Sequence, residues 1–336
     1  MQLSRSSVLE LPLATRGRAI QIGTSRHFAA LRNLVAIGAK RTSIKPHQSS
    51  SIYEYAPWLR PISGYYPRMF PPERIVCLTE ETVETLYLLG EDARIVGVSG
   101  YAVRPPRVRR EKRRVSAFIS ADIDKILALE PDLVLTFSDL QADIVAELIR
   151  RGVAVHAFNQ RDLAGIFAMM RTLGALVGAG EKAERLCADL EARLLSVRAA
   201  AGRRDRQPRI YFEEWDEPMI SGIGWVSELI AAAGGLDVFA ERAANKSAKD
   251  RIAAPEEVIA AAPDIIIGSW CGKKFVPAKV GSRPGFCEIP AVRSGFLREI
   301  KSPLILQPGP AALTDGLDAL VGIVEEWRAA AGSARA

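Results

Sequence analysis

DIDKILALEPDLVLTF, residues 122–137, decides the fold. Ile123, Ile126 and Leu127 share one helical face, and Pro131-Asp132 separates that helix from an apolar run that reads as a buried strand. PEEVIAAAPDIIIGSW, residues 255–270, repeats the order: acidic opening turn, helix, Pro-Asp, β-branched strand. Pro131 and Pro263 lie 132 residues apart, and RIVCL (74–78) and RIYFE (209–213) recur at nearly the same offset, 135. Two matches at nearly one offset predict a two-copy arrangement.

Working outward, the same alternation fills both halves. RIVCL precedes TEETVETLYLLG, a helix with a Thr cap, an acidic first turn and terminal Gly90. ARIVGVS (93–99) is a second strand, and a helix over 120–130 is opened by Ser120. PDLVLTF (131–137) and VAVHAF (153–158) are the third and fourth strands, with a helix between them ended by Gly152. Strand–helix alternation predicts parallel sheets covered on both faces. From Asp162 to Ala201 the pattern is helical, broken at Gly178 and Gly180. The rhythm resumes with strand PRIYFEE (208–214), helix 225–233, a strand near 236–239, helix 255–262, strand PDIIIGS (263–269) and a last helix over 312–330. The fold class expected is α/β, two Rossmann-like lobes with parallel sheets. The boundaries are a disordered or non-native extension over 1–72, a first lobe over 73–160, a linking helix region over 161–201 and a second lobe over 202–336.

The net charge of +6 is unevenly spread. Residues 1–68 hold ten Lys/Arg against Glu10 and Glu54, which leaves the body near neutral and argues against nucleic acid as a partner. No apolar run is long enough to span a membrane. FAALRNLVAIGA, interrupted by Arg32 and Asn33, fails as a secretory signal. The four cysteines form no CxxC pair. With no export signal and unpaired thiols, a cytoplasmic setting is expected.

Ligands of open parallel sheets bind beyond the carboxyl ends of the strands. The post-strand loops supply Glu80, Tyr101, Phe118, Phe137, Ser138, Trp215, Ser221, Trp270, Lys273, Phe275 and Gln307 as candidate ligand contacts. This mixture of flat rings with a few orienting polar groups suits a mostly apolar pocket. In GSWCGKKF (268–275), Trp270 and Phe275 offer contact area and Lys273 or Lys274 meets an anionic group. The competing reading puts Trp270 in the core and the two lysines in a solvated turn. His27, His47 and His156 form no cluster, so no metal site is expected. No GxGxxG, GxxxxGK[ST] or GxSxG motif follows a strand, which removes dinucleotide, P-loop and hydrolase readings. Glu213 or Glu214 is the only base an enzyme reading has to offer, and no catalysis is expected.

RIVCL-TEET-VETLYLLG, DIDKILALEPDLVL and PRIYFEEW…WVSELIAAAGG…PEEVIAAAPDIIIGS resemble the helical-backbone, TroA-like substrate-binding proteins of ABC importers that carry cobalamin and ferric siderophores. The resemblance covers residues 73–330. It implies two α/β lobes joined by one long helix, and a bulky ligand held between them without chemistry or catalytic cofactor. The cobalamin branch is preferred, with a corrinoid as ligand, because Tyr101, Trp215 and Trp270 occupy loops comparable to its aromatic ones. The alternatives are a ferric-siderophore or haem-type chelate binder, or a tetrapyrrole-modifying enzyme on the same scaffold. The family docks one acidic residue of each lobe onto a permease, and the matching positions are Asp124 and Glu256. A monomer is expected. Family members are normally exported or lipid-anchored, so the resemblance also gives a periplasmic alternative to the cytoplasmic setting.

Overall fold

The computed structural model describes residues 70–203 and 206–333. Of the extension expected over 1–72, residues 1–69 lie outside the described residues, as do His27, His47 and the FAALRNLVAIGA stretch. In the first lobe, β1 (Ile75–Cys77) leads to α1 (Glu80–Leu89), followed by β2 (Ile95–Ser99), β3 (Arg113–Ser116), α2 (Ile123–Leu127), β4 (Leu133–Phe137), α3 (Ala142–Arg150) and β5 (Val155–Phe158). All neighbouring strands are parallel, in the order β3-β2-β1-β4-β5.

Helices α4 (Leu163–Leu176) and α5 (Gly180–Ala201) form the link. They part where the glycines fall, with Gly178 at φ 73°. They pack so tightly that a Cβ on Gly174 would lie 2.3 Å from that of Ala183.

The second lobe holds β6 (Arg209–Asp216), β7 (Met219–Ser221), α6 (Gly224–Ala232), β8 (Leu236–Asp237), α7 (Pro255–Ala261), β9 (Ile265–Gly268), β10 (Leu297–Glu299) and α8 (Leu317–Ser333). Its order is β10-β9-β6-β7, with β8 also on β6. This sheet is mixed, because β7 folds back antiparallel on β6 through Glu217-Pro218. Strands β3 and β10 carry Arg-Arg and Arg-Glu in short edge positions, so no apolar run announces them. Helix α2 starts at an Asp122 cap, whose carboxylate accepts from Lys125 N at 3.0 Å, and not at Ser120. An antiparallel bridge between Ser116 and Ala121 holds the intervening residues out of the helix.

The internal repeat has a physical cause at its Pro-Asp step. Asp132 accepts from the backbone N–H groups of Glu73 and Arg74 at 2.7 and 3.0 Å, while Arg74 Nε donates to Leu129 O at 3.1 Å. Asp264 accepts from Arg209 N at 2.8 Å, and Arg209 Nε donates to Ala261 O at 2.9 Å. The residue before each proline is left-handed, Glu130 at φ 46° and Ala262 at φ 43°. In both lobes an aspartate therefore ties the start of its own strand to the start of the neighbouring one, and an arginine caps the preceding helix.

Side-chain alternation covers both faces of each sheet. Ile75, Cys77, Leu133 and Leu135 face the linking helices, as do Ile210, Phe212, Ile265 and Ile267, so one core runs through Phe167, Met170 and Leu190 into both lobes. Val76, Leu78 and Val134 pack on the first lobe's far side, and Tyr211 and Ile266 on the second's. Gly268 ends β9 where a Cβ would sit 1.8 Å from the Phe275 ring. Gly268→Ala is therefore expected to lose about 1–3 kcal/mol through overpacking, measured by urea denaturation; a stability equal to the parent's would contradict it.

Candidate ligand-binding cleft

The loops beyond the strands of the first lobe meet those of the second. Gln160 Nε2 donates to Pro308 O at 3.0 Å, and Ala311 N donates to Glu84 Oε2 at 3.1 Å. Arg104 bridges the seam, bonding Glu84 Oε1 at 2.8 Å and Asp315 Oδ2 at 2.8 Å. Helix α1 starts in the middle of the sheet, so its polar first turn is covered by the facing lobe instead of by solvent. Glu80, Glu81 and Glu84 are all buried as a result. Burial pushes the Glu80 carboxyl up to about 7, against backbone and Gln307 hydrogen bonds that lower it. Burial, then the charge of Glu80, pushes Glu81 up to about 8.

Gln141 organises the first lobe's loops. Fully buried, it donates to Leu78 O at 3.2 Å and Phe118 O at 2.7 Å and accepts from Phe137 N at 3.0 Å, which joins three strand ends. Phe118 is half-buried against the core and Phe137 is buried, with the Arg161 guanidinium 5.1 Å over its ring. Ser138, at φ 63°, accepts from Leu140 N at 3.3 Å and so turns its own loop. Tyr101, 51 % exposed, does stand free, and Ile119 and Leu140 join it at 70 % and 60 %. These three exposed apolar side chains follow β2, β3 and β4, at the carboxyl end of the first lobe's sheet where ligands of open parallel sheets bind.

The second lobe departs from expectation. Trp270 and Phe275 are buried at 4 % and 2 %, their ring centroids 5.0 Å apart, and they complete the core behind β9 instead of walling the cleft. Their neighbour Glu213 is fully buried. It accepts from Trp270 Nε1 at 2.9 Å, from Tyr211 OH at 3.1 Å and from Arg283 through two bonds of 2.6 and 2.9 Å. A carboxylate so saturated has no lone pair left for base chemistry. Glu214 is likewise held, at 2.7 Å, by buried Arg251, which also donates to Ser221 O. Ser221 is buried and gives its hydroxyl to Arg251 O at 2.9 Å, so it supports the arginine. Lys273 pairs with Asp216 and lies 4.0 Å over the ring of half-exposed Trp215, which removes it as a free cation for a ligand. Although burial alone would raise the Asp216 carboxyl, hydrogen bonds from Lys273 and Lys279 hold it below its usual range.

A hollow of about 500 Å³ lies between the loops after β9 and β10, lined by Lys273, Lys274, Lys301, Glu299 and an edge of Trp270. Gln307 sits on the seam against Glu80. Cys271 approaches the seam as well: partial burial, then Glu80 and Glu214, raise its thiol.

The structure thus brings Glu80, Gln307, Phe137 and Ser138 to the seam or its borders, with Tyr101 on the rim. Trp270, Phe275 and Ser221 lie beneath the surface. Sequence reasoning missed Glu84, Gln141, Arg161 and Arg251, and did not single out Glu81 or Gln160 among the residues that follow the strands. Acidic residues in a helix first turn read as exposed capping groups, and Arg251 follows a polar stretch with no period. Asp124 and Glu256 both open their helices, α2 and α7, 132 residues apart, and both are exposed. Among the described residues no group of three His, Cys, Asp or Glu could hold a metal ion, and no helix is long and apolar enough to cross a membrane.

Comparison with known proteins places this geometry. An uncharacterized ABC transporter substrate-binding lipoprotein of Bacillus subtilis, YvrC, is 24 % identical over 259 residues, 74 % of this chain and 79 % of its own length. A vitamin B12-binding protein of Vibrio cholerae is 28 % identical over 176 residues, 51 % of this chain and 63 % of that protein. Among solved structures, the V. cholerae vitamin B12-binding protein BtuF shares the fold at TM-score 0.63 and 23 % identity, over 77 % of this chain and 98 % of that one. The periplasmic heme-binding protein RhuT of Roseiflexus sp. RS-1 matches at TM-score 0.65 and 25 % identity, over 75 % and 99 %. The family model described as periplasmic binding protein matches residues 75–304.

These findings overturn the cytoplasmic setting: the matched family is periplasmic, and the Bacillus relative is a lipoprotein. The thiols misled because Cys77 and Cys187 are buried in the core, where packing and not redox compartment accounts for them. With the match running from β1 to the loop after β10, the chain belongs to the periplasmic binding protein family.

Proposed function

We propose that this chain is the substrate-binding component of an ABC importer and that it carries a cobalamin-like corrinoid between its lobes. The observation that carries the reading is that exposed apolar side chains, Tyr101, Ile119 and Leu140, follow β2, β3 and β4 at the strand ends where the polar seam also lies. A large, flat, amide-fringed macrocycle matches such a surface: apolar area for its faces, hydrogen-bonding groups for its edge. The relative named as vitamin B12-binding supports it. Ligand transfer then requires docking, for which Asp124 and Glu256, exposed on matched helices of the two lobes, supply a pair of anionic contacts for basic residues of a permease. A second reading, an anionic iron or haem chelate, is favoured by Lys274 and Lys301 at the 500 Å³ hollow.

Titration with cyanocobalamin, dicyanocobinamide, hemin and a ferric siderophore, followed by calorimetry and visible absorption, separates the two readings. The corrinoids are expected to bind tightest; saturation by hemin alone would transfer the assignment to the second. Asp124→Ala with Glu256→Ala is expected to leave corrinoid affinity unchanged while abolishing stimulation of the reconstituted importer. Full stimulation by the double variant would remove the docking role.

A further inference from the structure

We propose that four exposed, unpaired arginines on the edge of the first lobe, Arg109, Arg110, Arg113 and Arg114, form a contact surface for anionic phospholipid headgroups of the membrane at which the chain docks. This inference rests on the importer reading above and adds a second partner beside the permease. Residues 104–114 hold seven Lys/Arg against Glu111 alone, a net of +6. The body from residue 69 onward nets −2, so its other residues sum to −8. The body is therefore polarised, with an excess of positive charge gathered in one short segment.

The local fold turns these side chains outward. Val108 is buried in the helical turn Val108–Glu111, and Val115 is buried in β3. Between them Lys112 Nζ donates to Asp92 O at 2.6 Å and to Ile95 O at 2.9 Å, which pins the segment to the lobe. The arginines on either side of Lys112 are left on the surface, and all four are exposed. The other six arginines of the first lobe each have a partner. Arg74 bonds Leu129 O, and Arg94, Arg104, Arg107, Arg150 and Arg151 each pair with a carboxylate. The four guanidiniums have none among the described residues. Charge that keeps an edge strand from pairing with another sheet accounts for Arg113 and Arg114. It does not account for Arg109 and Arg110, which precede the strand.

The distribution of charge selects the partner. An array spread over a turn and an edge strand suits a broad sheet of headgroups, whereas a single small anion is held in a concave site. A flat anionic surface meets one face of the body only, while a polyanion that wraps the body would also meet its acidic remainder. Arg114 borders a hollow of about 400 Å³ with Ser120, Asp122 and Lys125, which carries the basic surface to α2. That helix bears Asp124, the permease contact proposed for this lobe. Docking through Asp124 brings the arginines towards the bilayer that holds the permease, and their attraction to it is screened by salt.

The test uses the full chain and a variant with Arg109→Ser, Arg110→Ser, Arg113→Ser and Arg114→Ser, each cosedimented with vesicles of phosphatidylcholine alone and of phosphatidylcholine with phosphatidylglycerol. The parent is expected to bind the phosphatidylglycerol vesicles at low salt and to leave them at high salt, and the serine variant to bind them roughly tenfold or more weakly. Residues 1–68 are the same in both, so the difference belongs to the four arginines. The urea midpoint and corrinoid affinity of the variant are expected to equal the parent's. A second variant with lysine at the same four positions keeps the charge and is expected to bind vesicles as the parent does; its loss of binding overturns the proposal even where the serine variant fails to fold. Equal vesicle binding by parent and serine variant, or parental binding indifferent to phosphatidylglycerol or to salt, overturns the lipid surface and leaves the importer reading intact. A serine variant that binds vesicles normally but detergent-solubilised permease more weakly assigns the arginines to the permease and overturns it as well. Failure of the parent to stimulate the reconstituted importer in either lipid overturns the importer reading, and this inference with it.

Discussion

Replacing Glu213 with alanine is expected to destabilise the protein by about 3–5 kcal/mol, because it strands the guanidinium of Arg283 in the interior without its counter-ion. Glu213 is fully buried and Arg283 nearly so, at 14 % side-chain exposure, and two hydrogen bonds join them. Trp270 Nε1 and Tyr211 OH would lose their acceptor in the same step. Each buried donor left unpaired adds to the loss. The double variant Glu213→Leu with Arg283→Leu is expected to recover much of it, since removing both charges removes the stranded one. Urea denaturation of the parent, single and double variants reads the outcome. A single variant within about 1 kcal/mol of the parent would show that the network contributes only what a surface pair does. This network is the reason the FEEW segment of β6 is structural. Its carboxylates pair with Arg283 and Arg251 and hold the second lobe together.

Stability is also expected to fall as pH rises from 5 to 9, through the seam carboxyls. Glu80 and Glu81 are held up to about 7 and about 8 from an ordinary 4.5. A raised folded value means that the folded state holds its protons more tightly than the unfolded chain. The stabilisation is complete below about 4.5 and is lost as pH climbs through 7 to 8. The groups around the pair do not reverse this. Burial raises Glu84 as well, and burial raises the Cys77 and Cys271 thiols, so each of them also favours the protonated folded state and acts in the same sense. Below 6.5 the lowered His156 acts in the opposite sense, so the comparison that matters is between proteins at one pH. Glu80→Gln with Glu81→Gln is expected to gain on the parent by on the order of a few kcal/mol at pH 9 relative to pH 5. Urea midpoints at pH 5, 7 and 9 check it; parallel profiles for the parent and the double variant would mean the pair titrates alike folded and unfolded.

Both predictions fall on carboxylates whose burial and partners the sequence did not reveal, for reasons that are local. TEET reads as a capped helix start with solvated acids, because spacing along one helix cannot reveal a second lobe lying over it. WCGKKF reads as a cleft wall because aromatic and basic residues after a strand usually serve ligands. Here Asp216, 57 residues away from Lys273, claims that lysine, and Glu213 claims the Trp270 indole.

The chain's own order of residues determined the two-lobe plan. Periodicity in ALEPDLVL and AAAPDIII sets a helix, a stop and a strand through short-range sterics and hydrogen bonds, and the same Asp and Arg contacts recur in each lobe. Tertiary structure alone decided which polar groups are buried, which are paired and which face a ligand. Those states depend on desolvation and on partners from distant segments: Gln160 on Pro308 and Glu84 on Ala311, 148 and 227 residues apart, come together only when the lobes meet.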